Sequence, residues 1–585
     1  MNKYRTHMVK DINESLIGKD IVVSGWVENI RDHGGVLFLD LRDESGTLQT
    51  VSNDDDMFKG IAKESVVRLS GTLRKRDDGT FNDRISTGTV ELLVDKLDIL
   101  GASVHELPFE IMTSKSTKDD VRLKYRYLDL RNDQVKDNIK LRAEILHFLR
   151  NKMYDLGFTE VQTPILTASS PEGARDFVVP SRLFKGKFYA LPQAPQIYKE
   201  LLMVGGMDKY FQIAPCFRDE DARADRTLEF YQLDLEMSFV EEDEILNVGE
   251  EIFYDTFTKF SDKQVSPRPF RRIAYRDAME MYGSDKPDLR NPLIIKDASK
   301  VLENTTFGPF KNSVIKVIVV DNIGDKPNSW FNEVVDFASS IGMPGIGYIT
   351  LMEDGSFKGP IDKFLSDEER QSLIKEFDMK TNSVMFFIAN KKLGKAQSFA
   401  GQIRTELGRK LELMDPNKLE LCIINDFPMF ELDEKTNKPK FCHNPFSMPH
   451  NGMKDYEEKE DFYDILAYQF DFVCNGNEMA SGAIRNHDLD SLAKGFSVVG
   501  YSREEVEERF KSIFTSFKYG CPPHGGMAPG IDRLIMLIKD EPNLREVQAF
   551  PTSASGQDLM MGSPSTLMPE QLEELGITIK EEEEE

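Results

Sequence analysis

Short apolar runs separated by turn residues fill the first hundred positions. "DIVVSGWVENI", "GGVLFLDLRD", "GTLQTVSN", "SVVRLSGTLRKR" and "TVELLVDKLDIL" each read as a strand, with Gly, Asp and Asn marking the gaps. Five strands over residues 1–105 predict a small Greek-key barrel of the oligonucleotide-binding (OB-fold) type. A polar linker follows at 106–130. From Val135 to Leu156 the apolar positions Ile139, Leu146, Leu149, Met153 and Leu156 recur in helical steps, and Gly157 ends the helix. "FTEVQTPIL" then reads as a strand closed by Pro164, and strands and helices continue to residue 285.

Residues 286–421 read as a separate unit. Strand-like "SVIKVIVV", "GIGYITLM" and "SVMFFIAN" alternate there with helical segments, one opened by the capping box Ser366 to Glu369. The stretch 422–570 returns to strands and ends in "GMAPGIDRLIMLIKD", a strand and turn running into an apolar helix. Residues 571–585 form an acidic tail. The expected fold class is multidomain α+β.

Composition adds little to this outline, but charge does. With 74 Lys and Arg against 100 Asp and Glu, the chain of 585 residues carries a formal net charge of −26, which taken alone argues against a nucleic-acid binder. Any such partner must meet local basic patches, and Arg74-Lys75-Arg76 and the stretch Lys115–Arg131 are the candidates. No apolar run approaches the roughly 18 residues of a membrane helix, and the N-terminal residues lack a signal-like apolar stretch. Five scattered cysteines without a CxxC pair suit a reducing compartment, so the expected location is cytoplasmic and no structural zinc site is expected.

The common phosphate-binding loops, GxxxxGK[ST] and GxGxxG, are absent. Side chains must then clamp any phosphate, and arginine is suited to that because its planar fork meets two oxygens at once. Arg218 ends the apolar strand "YFQIAPCFR", and Arg533 opens an otherwise apolar helix. Between them Phe230, Gln232, Asp234 and Glu236 alternate along a strand and share one face. For either arginine alone, an ion pair closing an element is the commoner use.

Taken together, "CFRDEDARADRTLEFYQLDLE" and "GMAPGIDRL" resemble motifs 2 and 3 of class II aminoacyl-tRNA synthetases, and "GFTEVQTPIL" resembles motif 1. The OB-like N-terminus, a flipping loop "SSPEGARDFVVPSR" and an amino-acid-binding helix "APQIYKELLM" narrow the resemblance to the aspartyl-tRNA synthetase subgroup, bacterial in its insertion domain. It implies an antiparallel-sheet catalytic domain split across 131–285 and 422–570. It also implies ATP-dependent activation of L-aspartate and transfer to tRNA(Asp). The alternative is a non-discriminating ligase that also charges tRNA(Asn); a catalytically silent tRNA-binding paralogue is less favoured.

By the same resemblance Arg218 holds the ATP α-phosphate, Glu220 accepts from the adenine amino group, Phe230 stacks on the ring and Arg533 covers its other face. Asp471, Glu478 and Ser481 are the implied ligands of Mg²⁺ bound with ATP, and "EMASGA" departs here from the bacterial glycine run. Arg485, supported by Lys199, is expected to face the substrate side-chain carboxylate. An asparagine amide would leave that buried arginine unpaired. Gln196, Asp234 and Glu172 receive the substrate ammonium and His443 closes over the carboxylate, while Ala194 stands where the family often has serine. In the barrel, Phe38 is the stacking residue for the anticodon, with Arg31, Gln49 and Glu91 beside it; from pattern alone Phe38 fits the core equally well. Asn29 replaces an arginine common in the family. His33 and Gly79 resemble the non-discriminating branch. A homodimer without membrane attachment is implied.

Overall fold

The computed structural model describes residues 2–33, 36–54, 56–169 and 174–580. The chain divides into two units, Met1–Thr117 and Lys118–Glu585. The first unit is built on strands β1 (Asp20–His33), β2 (Val36–Asp43), β3 (Gly46–Ser52), β4 (Val66–Lys75) and β5 (Val90–Gly101). They close into a barrel in the order β1-β2-β3-β5-β4, with β3 and β5 parallel and the other pairs antiparallel. Val23, Val27, Leu39, Leu41, Leu48, Leu69 and Leu92 fill it. Because side chains alternate across a strand, Leu39 and Leu41 point inward and Phe38 and Asp40 point out.

The second unit contains an eight-stranded sheet. Its strands are β6 (Thr159–Glu160), β7 (Lys209–Phe217), β8 (Glu229–Ser238), β9 (Arg271–Ala274), β10 (Leu421–Asn425), β11 (Gln469–Cys474), β12 (Asn477–Ile484) and β13 (His524–Pro529), in the order β9-β10-β11-β12-β13-β8-β7-β6. Pairing is antiparallel except at the two edges, β9 with β10 and β6 with β7. Helices α1 (Asp133–Asp155), α2 (Gln196–Val204) and α3 (Ile531–Lys539) complete the frame of the site. Ile145, Leu149 and Met153 of α1 and Ile531, Leu534 and Ile535 of α3 share a core with Leu233, Leu235 and Met237 of β8. That face of β8 is therefore committed to apolar packing, which turns its alternate residues toward the opposite side.

The inserted segment carries its own five-stranded sheet, in the order Ile295–Asp297, Val314–Val320, Val384–Asn390, Gly347–Leu351, Phe357–Lys358. Ile318, Phe386 and Ile388 pack on one face and Ile315, Val317 and Phe387 on the other. This explains why those strands read as continuous apolar runs. The expected capping box forms, with Ser366 and Glu369 opening the helix Asp367–Phe377.

Two local expectations change. "FTEVQTPIL" keeps only the two strand residues of β6, because the Thr163 amide and hydroxyl donate to the side chain of Gln212 instead of to a neighbouring strand, and Pro164 has no N–H to offer. Nor is the basic run at 115–131 a solvated patch throughout. Asp119–Lys124 and Arg126–Asp129 are helical, and Arg122 and Arg126 are buried, paired with Asp129 and, for Arg122, Glu546. Arg126 also donates to the carbonyls of Gln548 and Ala549. Among the described residues no helix is long and apolar enough to cross a membrane.

Candidate active site

The free face of β8 presents Phe230, Gln232, Asp234 and Glu236 in a row, with alternate residues roughly 7 Å apart along an extended strand. Its flanking strands bring the arginines in. Arg218 follows β7 directly, and its amide donates to the Leu228 carbonyl at 2.9 Å, folding residues 218–228 into a loop. β13 pairs with β8 through Leu235–Met527 and Glu236–Gly526, then turns at Gly530 into α3, which sets Arg533 in the first turn. Arg218, Glu220, Phe230, Glu478 and Arg533 consequently line one cleft. The Arg218 guanidinium lies 5.0 Å from the Phe230 ring centroid and forms no ion pair among the described residues. Arg533 donates to the Glu478 carbonyl at 2.8 Å and lies 3.7 Å from its carboxylate. Glu220 pairs with Arg226 at 3.3 Å. A cation without a counter-ion beside an aromatic face is a ready site for an anion carrying a planar ring.

Two strand positions further along, the environment becomes a buried ionic slot. Gln196, Lys199 and Glu200 occupy one face of α2 at i, i+3 and i+4 and are all buried. The Lys199 ammonium lies 2.8 Å from Asp234 and 3.2 Å from Glu236. Arg485, at the end of β12, grips Glu236 with both arms of its fork, Nε to Oε1 at 2.8 Å and Nη2 to Oε2 at 3.2 Å. Burial alone would raise the Glu236 pKa, but Arg485 and Lys199 hold it at about 2. For Asp234 burial wins and the pKa rises despite Lys199. Oδ2 of Asp234 accepts no hydrogen bond among the described residues, a buried acceptor open to an incoming donor. Gly526 makes this packing possible, since a Cβ there would lie 2.2 Å from the Glu236 carboxylate.

The slot corrects one expectation. Arg485 does not await a substrate carboxylate unpaired, because a guanidinium 3% exposed requires a permanent counter-charge, and Glu236 supplies it. The strand pattern placed Glu236 with Asp234 among the acids expected to hold a substrate amine, whereas Glu236 is spent on Lys199 and Arg485.

On the far side of the cleft, β11 and β12 pair Asp471 with Ser481. The Ser481 hydroxyl donates to Asp471 at 2.6 Å and lies 3.2 Å from Glu478. Lys286 holds Glu478 at 3.0 Å. Burial, reinforced by the Glu478 charge, raises the Asp471 pKa well above the usual range, while Lys286 and Arg533 outweigh burial and lower that of Glu478. Oδ2 of Asp471 is buried without a hydrogen bond among the described residues. Asp285 and His443 each bring a ligand atom within 4.8 Å of Asp471. An oxygen-rich set with an unspent buried carboxylate oxygen fits a hard divalent cation such as Mg²⁺. His443 packs edge-on against Phe427 at 4.9 Å, and desolvation lowers its pKa.

In the barrel, Arg31, Gln49 and Glu91 form one polar chain. Arg31 donates to Asp40 at 2.6 Å and to Gln49 at 3.3 Å, Gln49 donates to Glu91 at 2.7 Å, and Arg74 completes the line at 2.8 Å from Glu91. Phe38 is half-buried on the outer face, opposite Arg31 in register. Asn29 pairs across from Asp40. Gly79 sits in an exposed turn at φ +91°. Glu172 and the side chain of His33 lie outside the described residues.

These features have counterparts in known proteins. Residues 118–554 match the model of class II tRNA synthetases (D, K and N), and residues 21–100 match that of an OB-fold nucleic acid binding domain. The chain is 48% identical over 590 residues to the aspartate--tRNA(Asp/Asn) ligase of Ehrlichia ruminantium (strain Welgevonden), covering 99% of each. It is 47% identical over 603 residues to the ligase of the same name from Wolbachia pipientis subsp. Culex pipiens (strain wPip), covering 99% of this chain and 100% of that one. Its fold is similar to a putative aspartyl-tRNA synthetase from Leishmania major Friedlin, with TM-score 0.58, 19% identity and 94% of each chain covered.

Proposed function

The chain belongs to the class II tRNA synthetases of the D, K and N group, and on that premise we propose that it activates L-aspartate with ATP and esterifies tRNA with the product. The observation that carries this reading is the row along β8: Phe230 and Gln232 line a cleft with two guanidiniums, and the next residues on the same strand face, Asp234 and Glu236, are paired with Lys199 and Arg485 in a buried cluster.

ATP binds with adenine on Phe230 under Arg533, its amino group donating to Glu220. Arg218 lies on the α-phosphate, where negative charge develops as the aspartate α-carboxylate attacks in line and pyrophosphate leaves. Asp471, Glu478 and Ser481 would hold Mg²⁺, which when bound neutralises phosphate charge. The substrate ammonium donates to Oδ2 of Asp234 and to Gln196, with Glu172 as a further acceptor. Its side-chain carboxylate joins Lys199 and Arg485, and His443 closes over it. Asparagine would bring no negative charge to these two cations. Rejection therefore rests on the field of the slot, not on an orphaned guanidinium. In the second step the terminal adenosine hydroxyl of the tRNA attacks the mixed anhydride and AMP departs.

The barrel reads the anticodon by stacking a base on Phe38 and bonding base edges with Arg31, Gln49 and Glu91. The names of the relatives favour a ligase that charges both tRNA(Asp) and tRNA(Asn), with His33 and Gly79 as tRNA-specificity positions. A cytoplasmic homodimer extends the reading. Aspartate-dependent exchange of pyrophosphate into ATP tests the first step, and exchange that is absent, or equal with asparagine, overturns it. Charging of transcripts with GUC and GUU anticodons tests the breadth, and charging of the GUC transcript alone refutes it.

A further inference from the structure

One buried acid of the slot has no part in the chemistry just described. Glu200 is 1% exposed and lies on the face of α2 that carries Gln196 and Lys199. One of its oxygens accepts from Gln196 Nε2 at 2.6 Å, and the other lies 3.4 Å from His524 Nε2. A carboxylate only accepts, so this contact fixes which end of the Gln196 amide faces it: the NH₂ is held at Glu200 and the carbonyl Oε1 is left as the acceptor for a ligand. His524, buried on β13, steadies Glu200 in turn. Its Nδ1 lies 2.9 Å from the Pro522 carbonyl, which can only accept, so the ring is held from both sides.

Resting on the proposed activation of aspartate, we infer that Glu200, backed by His524, is a positioning residue that locks the Gln196 amide with its oxygen toward the substrate ammonium. Without the lock the amide can turn its NH₂ toward the ammonium, replacing an acceptor with a donor. Free amides on helices rotate readily, and a donor opposed to a cation repels it. Glu200 thus sets aspartate affinity through a second residue and touches neither substrate.

The test uses the full chain in the aspartate-dependent exchange assay, with thermal melting of every variant. Glu200→Met keeps the volume and removes the acceptor; it is expected to raise the aspartate KM tenfold or more while the ATP KM stays within twofold. In a Gln196→Met background the same substitution is expected to add less than twofold, because the residue it acts through is gone. Glu200→Gln keeps an acceptor and is expected to hold the aspartate KM within threefold. Additive effects in the double variant, an equal rise in the ATP KM, or a tenfold rise in Glu200→Gln would each overturn the inference. The last outcome decides the matter even where Glu200→Met does not fold. Wild-type protein that shows no exchange would instead overturn the activation reading itself, so the two failures are distinct.

Discussion

Arg218 lines the cleft with no ion pair among the described residues, holding only the Gln193 carbonyl at 3.4 Å and the face of Phe230, so its proposed role lies in the reaction and not in the fold. Its value should appear in the rate. Arg218→Ala is expected to reduce kcat of the exchange reaction by roughly a hundred- to a thousand-fold, about 3–4 kcal/mol of transition-state stabilisation. Chemical denaturation should show little change, because no buried ion pair is broken. His524 is the opposite case, a charge fully enclosed. Burial alone would lower its pKa, but contacts with Cys521 and Glu200, and the charge of Glu236, raise it to about 10. A raised folded-state pKa gives stability that is complete below the unfolded value near 6.5 and is lost as pH climbs toward 10. Wild-type stability is accordingly expected to fall across that window, by at most about 1.4 kcal/mol per pH unit from this group, measured by urea unfolding at each pH. His524→Gln should remove that part of the decline, and an unchanged slope would exclude His524 as its source.

At the scale of elements, β8 shows how much of the site was legible. Its period-two pattern announced that Phe230, Gln232, Asp234 and Glu236 share a face, and the structure keeps that face on the site because Leu233 and Leu235 are locked in the core. The barrel strands, α1 and the capping box at Ser366 were legible for the same reason: short-range periodicity and caps determine them. What pairs across elements was not. Nothing local told that Glu236 would satisfy Arg485, that Glu200 would reach His524, or that Arg122 and Arg126 would be buried against Glu546 and nearby carbonyls. Those contacts depend on which strands become neighbours. β13 illustrates the dependence, since its backbone can lie beside Glu236 only while position 526 lacks a Cβ, which would come within 2.1 Å of the Leu235 carbonyl. Gly526→Ala is expected to cost about 1–3 kcal/mol in urea unfolding. It should also raise the aspartate KM more than the ATP KM, because the displaced group is the counter-ion of Arg485. An alanine variant of wild-type stability would mean that β8 and β13 can separate without strain.

For the whole molecule the question is how a chain of net charge −26 meets a polyanion. Over distances beyond the Debye length of about 8 Å at physiological salt the bulk charge is screened, so only groups near the contact act on the tRNA. On the barrel these include Arg74 and Lys75, each about half exposed, beside the chain of Arg31, Gln49 and Glu91. Two pictures then predict opposite signs. If bulk acidity governed the encounter, added salt would screen the repulsion and lower the KM for tRNA. If local cations displacing counterions govern it, the KM rises, by at least about tenfold between 50 and 200 mM KCl for several phosphate contacts. The second is expected. The aspartate KM, measured by exchange over the same range, should move less than about twofold, because Lys199, Arg485, Asp234 and Glu236 are buried beyond the reach of mobile ions. A tRNA KM that falls with salt would show that bulk charge steers the encounter, and parallel changes in both constants would show that the aspartate slot opens to solvent in the working enzyme.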